Sequence, residues 1–297
     1  MPHGDPQPLH IDVQALFYAK NPRLAARIPA VGYRYLRRIV HERQINAFLT
    51  ANAALSGCAF VMQALQFLDI GTVTHYDGRL PDDPRIVLCA NHPTGGADGL
   101  CAMQLLCRRY GSLRVPANDL LTTLPGLREF IVPVDKYGSN AGQVRQYDRL
   151  FACEHPVLVF PAGRTARPGP RGLLDYPWSK TFIRKAREHD RIIVPLYIAG
   201  RNSRFFYALW RLRRALRVDA NLEMLYLVDE LFRQRGRRIE LTVGTPLRVF
   251  AGNSHSDLSL AAHLRMQVHR LGRGGAAGTE APAGTASSVR SSKEAHQ

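Results

Sequence analysis

The 297-residue sequence contains little lysine and comparatively little acid. Only five of its 40 Lys and Arg residues are lysines, which leaves 35 arginines against 24 Asp and Glu residues. The resulting formal charge of +16 predicts a polyanionic partner, either a nucleic acid, an anionic membrane surface or an acidic metabolite. Arginine suits such partners because its planar guanidinium makes bidentate contacts with phosphate.

Cysteines are few, and their spacing does not indicate a disulfide framework or a zinc site. Their number is odd, and no two are spaced as Cys-x-x-Cys. The five positions are Cys58, Cys89, Cys101, Cys107 and Cys153. We therefore predict reduced thiols, most of them in the core of a protein from a reducing compartment.

No stretch of the sequence has the ~18 consecutive apolar residues that a membrane-spanning helix requires. The best candidate, residues 47–70, is interrupted by polar residues that include Asn52, Gln63 and Gln66. The first ten residues also lack the basic and then apolar layout of a signal peptide. These features predict a soluble or peripheral protein and exclude an integral one.

The spacing of apolar residues changes near residue 70. Residues 1–70 predict an N-terminal helical segment, kinked or divided at Pro29. Beyond it, strands are predicted at 85–90, 129–134, 156–160, 191–198 and 238–243. Helices are predicted at 99–110, 140–155, 178–190, 203–217, 221–235 and 256–271. This alternation predicts an α/β domain over 71–271, with a mixed, largely parallel sheet flanked by helices. Residues 272–297, rich in Gly, Ala and Ser, predict a disordered tail.

The densest chemical signal follows the strand at 85–90. There the chain reads Asn-His92-Pro-Thr-Gly95-Gly96-Ala-Asp98, and ligand sites of open α/β sheets lie at the carboxyl ends of strands. On one continuous helix His92 and Asp98 would lie about 240° apart, so contact between them requires a chain reversal, for which the glycines supply the freedom. We predict that Asp98 then orients His92 and stabilises its protonated form. The alternative is that Asp98 only caps the following helix.

This block and three later ones resemble the glycerolipid acyltransferases, the lysophosphatidic-acid acyltransferase (PlsC-like) group, and more narrowly a hemolysin-like bacterial branch. Five residues separate His92 from Asp98, where the wider family has four. The later blocks are residues 130–136, 159–165 and 193–197. The resemblance implies transfer of a fatty acyl group from acyl-CoA or acyl-carrier protein to the hydroxyl of a lysoglycerolipid, such as 1-acylglycerol-3-phosphate, in phospholipid synthesis. It also implies a cytoplasmic enzyme, peripheral on the inner face of the cell membrane.

His92 and Asp98 are the catalytic residues that the resemblance implies. A neutral imidazole suits the general base, because a pKa of about 6.5 leaves histidine mostly unprotonated at pH 7. A thioester is already activated, so we expect no cofactor, no metal and no covalent nucleophile. Cys89, three residues before His92, is accordingly interpreted as a core residue.

Substrate binding is expected from Lys136 of the second block and from Gly163, Arg164 and Arg167 of the loop after strand 156–160. Backbone amides and guanidinium groups in such a loop make a cradle for phosphate. The alternative is a solvated basic loop. Ala162 stands where the family has a glutamate that helps to hold the acceptor, so the acceptor stays open, and a lyso-ornithine or lyso-glycine aminolipid is the alternative.

The predicted helix 203–217 has two apolar faces. One consists of Phe205, Leu209, Leu212 and Leu216 and is assigned to the core. The other places Phe206 and Trp210 beside arginines, which suits either a lipid-facing surface or packed aromatics under snorkelling arginines.

Two further functions stay open. A basic nucleic-acid-binding protein is motivated by charge alone, but no helix-turn-helix, zinc-finger or RNA-recognition signature is present, and we expect no nucleic-acid partner. A catalytically inactive relative that binds lipid is the other, because the third block lacks its glutamate.

Overall fold

Helices occupy the N-terminal part of the chain, and the sheet follows them. The computed structural model describes residues 10–117, 119–133, 140–169, 172–218, 222–250 and 256–274. The helices are α1 (Val13–Lys20), α2 (Pro22–Ala25), α3 (Ala30–Ile39), α4 (Glu42–Ala51), α5 (Gly57–Phe67), α6 (Gly96–Tyr110), α7 (Asn140–Ala152), α8 (Thr181–Glu188), α9 (Arg204–Ala215), α10 (Leu227–Phe232) and α11 (Asp257–Gly274). The strands are β1 (Gly71–Tyr76), β2 (Ile86–Ala90), β3 (Val115–Ala117), β4 (Ile131–Pro133), β5 (Val157–Val159), β6 (Arg167–Gly169), β7 (Gly172–Leu174), β8 (Ile192–Ile198) and β9 (Arg238–Val243).

The central sheet has the strand order β1-β9-β8-β2-β5. Strand β2 runs parallel to β5 and β8, β9 is antiparallel to β8, and β1 is parallel to β9. All five residues of β2 are buried, as expected of a central strand covered on both faces. The predicted fold class, a mixed and largely parallel sheet flanked by helices, is confirmed.

Two hydrophobic clusters cover the two faces of this sheet. Alternate residues of a strand point to opposite faces, and accordingly Leu88 belongs to one cluster and Val87 to the other. Helices α4, α5 and α6 pack in the first cluster, and α8 and α11 pack in the second. Helices α4 and α5 therefore share a core with the sheet, although they precede residue 71. The predicted boundary between the segments 1–70 and 71–271 stays a prediction.

Pro29 divides the N-terminal helices as expected, since it is the N-cap residue of α3. The strand predicted at 129–134 corresponds to β4, which pairs with β3 outside the central sheet. Strand β1 was not predicted, because it is a half-exposed edge strand without a continuous apolar run. The helix predicted at 221–235 is a 3-10 turn over Leu222–Tyr226 followed by the short α10.

Helix α9 exposes the face that its sequence assigns to the core, and it buries the aromatic face, for which packed aromatics were one of the two expected roles. Phe206 and Trp210 are 0% and 9% exposed, whereas Phe205, Leu212 and Leu216 are 49%, 55% and 65% exposed. The prediction of a core stripe is therefore wrong. The aromatic face packs on Arg167, whose guanidinium lies 5.0 Å from the centre of the Phe206 ring. A helical pattern does not reveal which of two apolar faces has such a partner.

The prediction of reduced cysteines is wrong for one pair. A disulfide joins Cys58 of α5 to Cys107 of α6, with Cα atoms 5.5 Å apart and a sequence separation of 49. The packing of α5 on α6 brings them together, which no local spacing indicates. Cys89 and Cys101 are free and buried.

The C-terminal helix is longer than predicted, since α11 continues through Gly274. Residues 275–297, most of the predicted tail, lie outside the described residues. Within the described part of the chain, no helix is both long enough and apolar enough to cross a membrane.

Candidate active site

The turn between β2 and α6 carries the two predicted catalytic side chains. Strand β2 ends at Ala90, and α6 begins at Gly96. Gly95, the N-cap residue, has a φ of 101°, which favours glycine. A Cβ at this position would also lie 3.0 Å from Cγ2 of Thr165. The predicted chain reversal is thus present, and it turns the first turn of α6 back towards the end of β2.

This reversal brings His92 and Asp98 together. Nδ1 of His92 lies 3.0 Å from Oδ2 of Asp98, and the carboxylate also accepts hydrogen bonds from the backbone N–H and the hydroxyl of Thr94, both at 3.0 Å. The Asp98 side chain is fully buried, whereas 18% of the His92 side chain is exposed. The imidazole is therefore within reach of a substrate.

The surroundings of Asp98 favour its charged form. Burial raises the pKa of the carboxyl, but the adjacent His92 and hydrogen bonds from the backbone of Thr94 and Gly95 outweigh it and hold the pKa below the ordinary value. An ionised Asp98 accepts a hydrogen bond from Nδ1–H of His92. A neutral His92 in this tautomer carries its basic lone pair on Nε2.

Two other segments hold the backbone of His92. Its N–H donates to Oδ1 of Asp175 at 3.2 Å, and its carbonyl accepts from the N–H of Ala166 at 2.7 Å. Its ring stacks on Phe160, with the ring centroids 4.3 Å apart. The third block of the sequence, at 159–165, thus contacts His92 through Phe160. Ala166, which directly follows the block, holds the backbone of His92.

Asp175, in the loop before α8, is a buried carboxylate that our sequence analysis missed. Its Oδ2 accepts from the indole N–H of Trp178 at 3.0 Å, and Nε2 of His269 is 4.0 Å away. Burial raises the pKa of Asp175, only partly opposed by the hydrogen bonds from Trp178 and the His92 N–H and by nearby histidines. The sequence signal for this residue is its position three residues before Trp178, where a helix is predicted to begin.

The predicted basic substrate-binding residues occupy different environments. Arg164 is exposed, with its guanidinium 5.8 Å from the centre of the Tyr176 ring. Arg167 is buried and donates to Oε1 of Glu223 at 3.2 Å and to the carbonyl of Thr165 at 2.9 Å.

Gly163 makes a turn, with a φ of 59° and its N–H donating to the carbonyl of Phe160 at 2.9 Å. Lys136 lies outside the described residues. Contacts of these four residues with substrate stay predictions.

One group of side chains in the described residues has the spacing of metal ligands, formed by Asp148, Glu188 and His189. Nζ of Lys185 donates to both carboxylates of this group, at 2.5 Å to Glu188. The group therefore already contains a cation. It belongs to α7 and to the end of α8, and not to the turn that carries His92.

Comparisons with known proteins extend over most of the chain. Residues 15–273 match a protein-family model described as acyltransferase. A lyso-glycine lipid O-acyltransferase of Phocaeicola vulgatus is 35% identical over 242 residues, 80% of this chain and 86% of that protein. Its namesake from Bacteroides thetaiotaomicron is 35% identical over 239 residues, 80% and 88%. The crystal structure of the 1-acyl-sn-glycerophosphate acyltransferase PlsC from Thermotoga maritima matches with a TM-score of 0.49 and 15% identity, over 90% of this chain and 97% of that chain.

Proposed function

The chain belongs to the glycerolipid acyltransferase family, and from this premise we propose that it transfers a fatty acyl group from a thioester to the hydroxyl of a lysolipid, with His92 as general base. The observation that carries the proposal is the 3.0 Å contact between His92 Nδ1 and the buried Asp98. That contact directs the basic Nε2 away from the carboxylate while leaving the ring partly exposed.

The reaction needs one proton transfer in each direction. Nε2 of His92 takes the hydroxyl proton of the acceptor as its oxygen attacks the thioester carbonyl, and Asp98 stabilises the imidazolium that forms. Collapse of the tetrahedral intermediate breaks the carbon–sulfur bond and expels the thiolate of CoA or of the acyl-carrier protein. The thiolate then takes the proton from His92, which restores the neutral base and leaves an ester and a free thiol.

The acceptor we favour is a lyso-glycine aminolipid, with 1-acylglycerol-3-phosphate as the second candidate. Two relatives carry the name lyso-glycine lipid O-acyltransferase, and Ala162 replaces the family's glutamate. The charge of the loop that carries Arg164 and Arg167 supports the same preference for the aminolipid. Arg167 is already paired with Glu223, which leaves Arg164 as the exposed arginine of the described part of this loop. A carboxylate headgroup needs fewer cations than a doubly charged phosphate.

We place the enzyme at the inner face of the cell membrane as a peripheral protein. Acyl-CoA and acyl-carrier protein are water-soluble donors of the cytoplasm, whereas a lysolipid acceptor resides in the bilayer. An enzyme that joins the two works at the surface between them. The positive charge of the chain suits an anionic surface of this kind.

The test is acyl transfer by purified protein, with acyl-CoA or acyl-carrier protein as donor and with lyso-glycine lipid, lyso-ornithine lipid or 1-acylglycerol-3-phosphate as acceptor. Mass spectrometry of the product ester identifies the acceptor. We expect His92→Ala to lower kcat by about 10²- to 10⁴-fold and His263→Ala, at an exposed histidine of α11, to leave it unchanged. Full turnover by the His92 variant would refute the base assignment. Salt-sensitive DNA binding without any transfer would favour the nucleic-acid alternative.

A further inference from the structure

An exposed apolar surface runs across α3 and α9. We call it the docking face and define it by Val31 and Tyr35 of α3, by Phe205 and Leu212 of α9, and by Leu216, the C-cap residue of α9. Each of these side chains is about half exposed or more. Apolar side chains on one face of a helix are normally covered by a partner.

Tyr226 joins the two helices into one surface. Its hydroxyl lies 2.7 Å from that of Tyr35, and its ring centroid is 4.9 Å from that of Phe205. Leu212 and Leu216 continue the line at helical spacing beyond Phe205. Residues from both helices therefore contribute to a single face.

The two helices that carry the docking face are positively charged. Helices α3 and α9 contain no Asp or Glu, and they carry several exposed arginines. These are Arg34, Arg37, Arg38, Arg204, Arg211 and Arg214.

The acids on adjoining segments are already paired. Glu223 is buried between Arg167 and Arg213, Oε2 lying 2.9 Å from Nε of Arg213. Asp229 lies 3.0 Å from His41 and 2.7 Å from Arg233. Arg37 is itself paired with Glu42, its Nε lying 3.6 Å from Oε1. Most of the remaining arginine charge on α3 and α9 is therefore not neutralised by carboxylates of the described residues.

We infer that the docking face binds an anionic lipid bilayer, with α9 lying along the membrane surface. Apolar side chains that enter the interface and arginines that meet lipid phosphates are the two components of such binding. A second copy of the chain fits less well, because a symmetric dimer would set the arginines of two identical faces against each other. Nucleic acid fits less well too, because three of the five side chains, Val31, Leu212 and Leu216, offer no ring on which a base stacks.

The inner face of α9 connects the docking face to the candidate active site. It packs on Arg167, and the preceding residue, Ala166, donates to the carbonyl of His92. Docking would place the bilayer on the side of α9 that faces away from Arg167. This consequence rests on the proposed function, in which the acceptor comes from the bilayer.

The test is co-sedimentation of the full chain with vesicles of phosphatidylglycerol and phosphatidylcholine, compared with phosphatidylcholine alone. We expect binding to the mixed vesicles and much weaker binding to the neutral ones. The double variant Leu212→Asp, Leu216→Asp should lower the partition coefficient at least about tenfold. The matched control Leu258→Asp, Met266→Asp, at equally exposed positions of α11, should leave it unchanged.

A second variant tests the charge without touching the apolar stripe. Arg204→Gln, Arg211→Gln should lower partitioning onto mixed vesicles by about fivefold for each arginine and should weaken its dependence on salt. Circular dichroism verifies that every variant is folded.

Four results would overturn the inference. One is an equal loss in the α9 and α11 variants, and another is partitioning that ignores lipid charge. The third is loss of self-association or of DNA binding in the α9 variant while vesicle binding persists, which would assign the face to a second copy or to nucleic acid.

Wild-type protein that binds the vesicles but acylates none of the acceptors would defeat the proposed function alone. The fourth result, acyl transfer in detergent without vesicle binding, would defeat the docking face alone.

Discussion

Two buried carboxylates contact His92, one from the turn before α6 and one from the loop before α8. Asp98 is six residues away in sequence and holds the ring at Nδ1, whereas Asp175 is 83 residues away and holds the backbone N–H. Their pKa values shift in opposite directions, downwards for Asp98 and upwards for Asp175. Both are removed from water, so burial alone does not explain the difference.

The partners of each carboxylate explain it. Asp98 faces a titratable imidazole directly and accepts from Thr94 twice, whereas Asp175 accepts one backbone N–H and one indole N–H, with His269 at 4.0 Å. Donors and an adjacent cation favour the charged form, and when they are too few, desolvation prevails. We therefore expect Asp98 to act on the proton chemistry of His92 and Asp175 to act on its position.

The largest expected effect comes from Asp98→Asn. The amide nitrogen would donate to Nδ1 of His92 and move the ring proton to Nε2, where the base is needed. We expect kcat to fall by about 10³-fold, with little change in KM, in the acyl-transfer assay. Asp77→Asn, at an exposed position, is the control. A variant that keeps its kcat would reduce Asp98 to a structural residue of the turn.

The contrast between these two residues also shows what sequence can predict. His92 and Asp98 form a local motif, in which the end of a buried strand, two glycines and a fixed spacing are enough to predict the contact. Strands β2 and β8 were predicted for a similar reason, because a buried parallel strand is an uninterrupted apolar run. Features of this kind are determined within about ten residues.

The features that sequence analysis missed depend on contacts between distant segments. Asp175 is a lone aspartate until folding brings it to His92, and Cys58 meets Cys107 only through the packing of α5 on α6. The pairing of Arg167 with Glu223, 56 residues away, is a contact of the same kind. The same ion pair lies under the aromatic face of α9 and decides which face of that helix is exposed.

An intermediate effect is expected from Asp175, as a positioning residue. Asp175→Ala removes the acceptor for the His92 N–H and should lower kcat by about 10- to 100-fold, with a smaller change in KM. Asp175→Asn keeps an oxygen at that place and should recover most of the loss. Trp178→Phe, which removes the indole donor but keeps an aromatic ring in the core, is the matched control and should stay within a few-fold. An Asn variant as slow as the Ala variant would contradict a role through this hydrogen bond.

The smallest effect, and the one that compares the two carboxylates directly, is on the pH dependence of stability. Asp98, with a lowered pKa, contributes stability above the ordinary carboxyl pKa of about 3.9 and loses it as the pH falls through the lowered value. Asp175, with a raised pKa, does not change the stability below about pH 3.9, where its carboxyl is protonated in both the folded and the unfolded protein. It destabilises the fold as the pH rises through the raised value.

Thermal unfolding of Asp98→Asn and Asp175→Asn between pH 3 and pH 7 should therefore give opposite trends. Relative to the wild type, the Asp98 variant should lose Tm as the pH rises, and the Asp175 variant should gain Tm, by a few degrees in each case. The groups that face Asp175 are His92, His269 and Arg265. His269→Gln removes the nearest titratable one and should leave the sign of the Asp175 trend unchanged. If Tm changed with pH in the same direction in both Asn variants, desolvation would govern both carboxylates. The assignment of proton chemistry to Asp98 and of positioning to Asp175 would then be wrong.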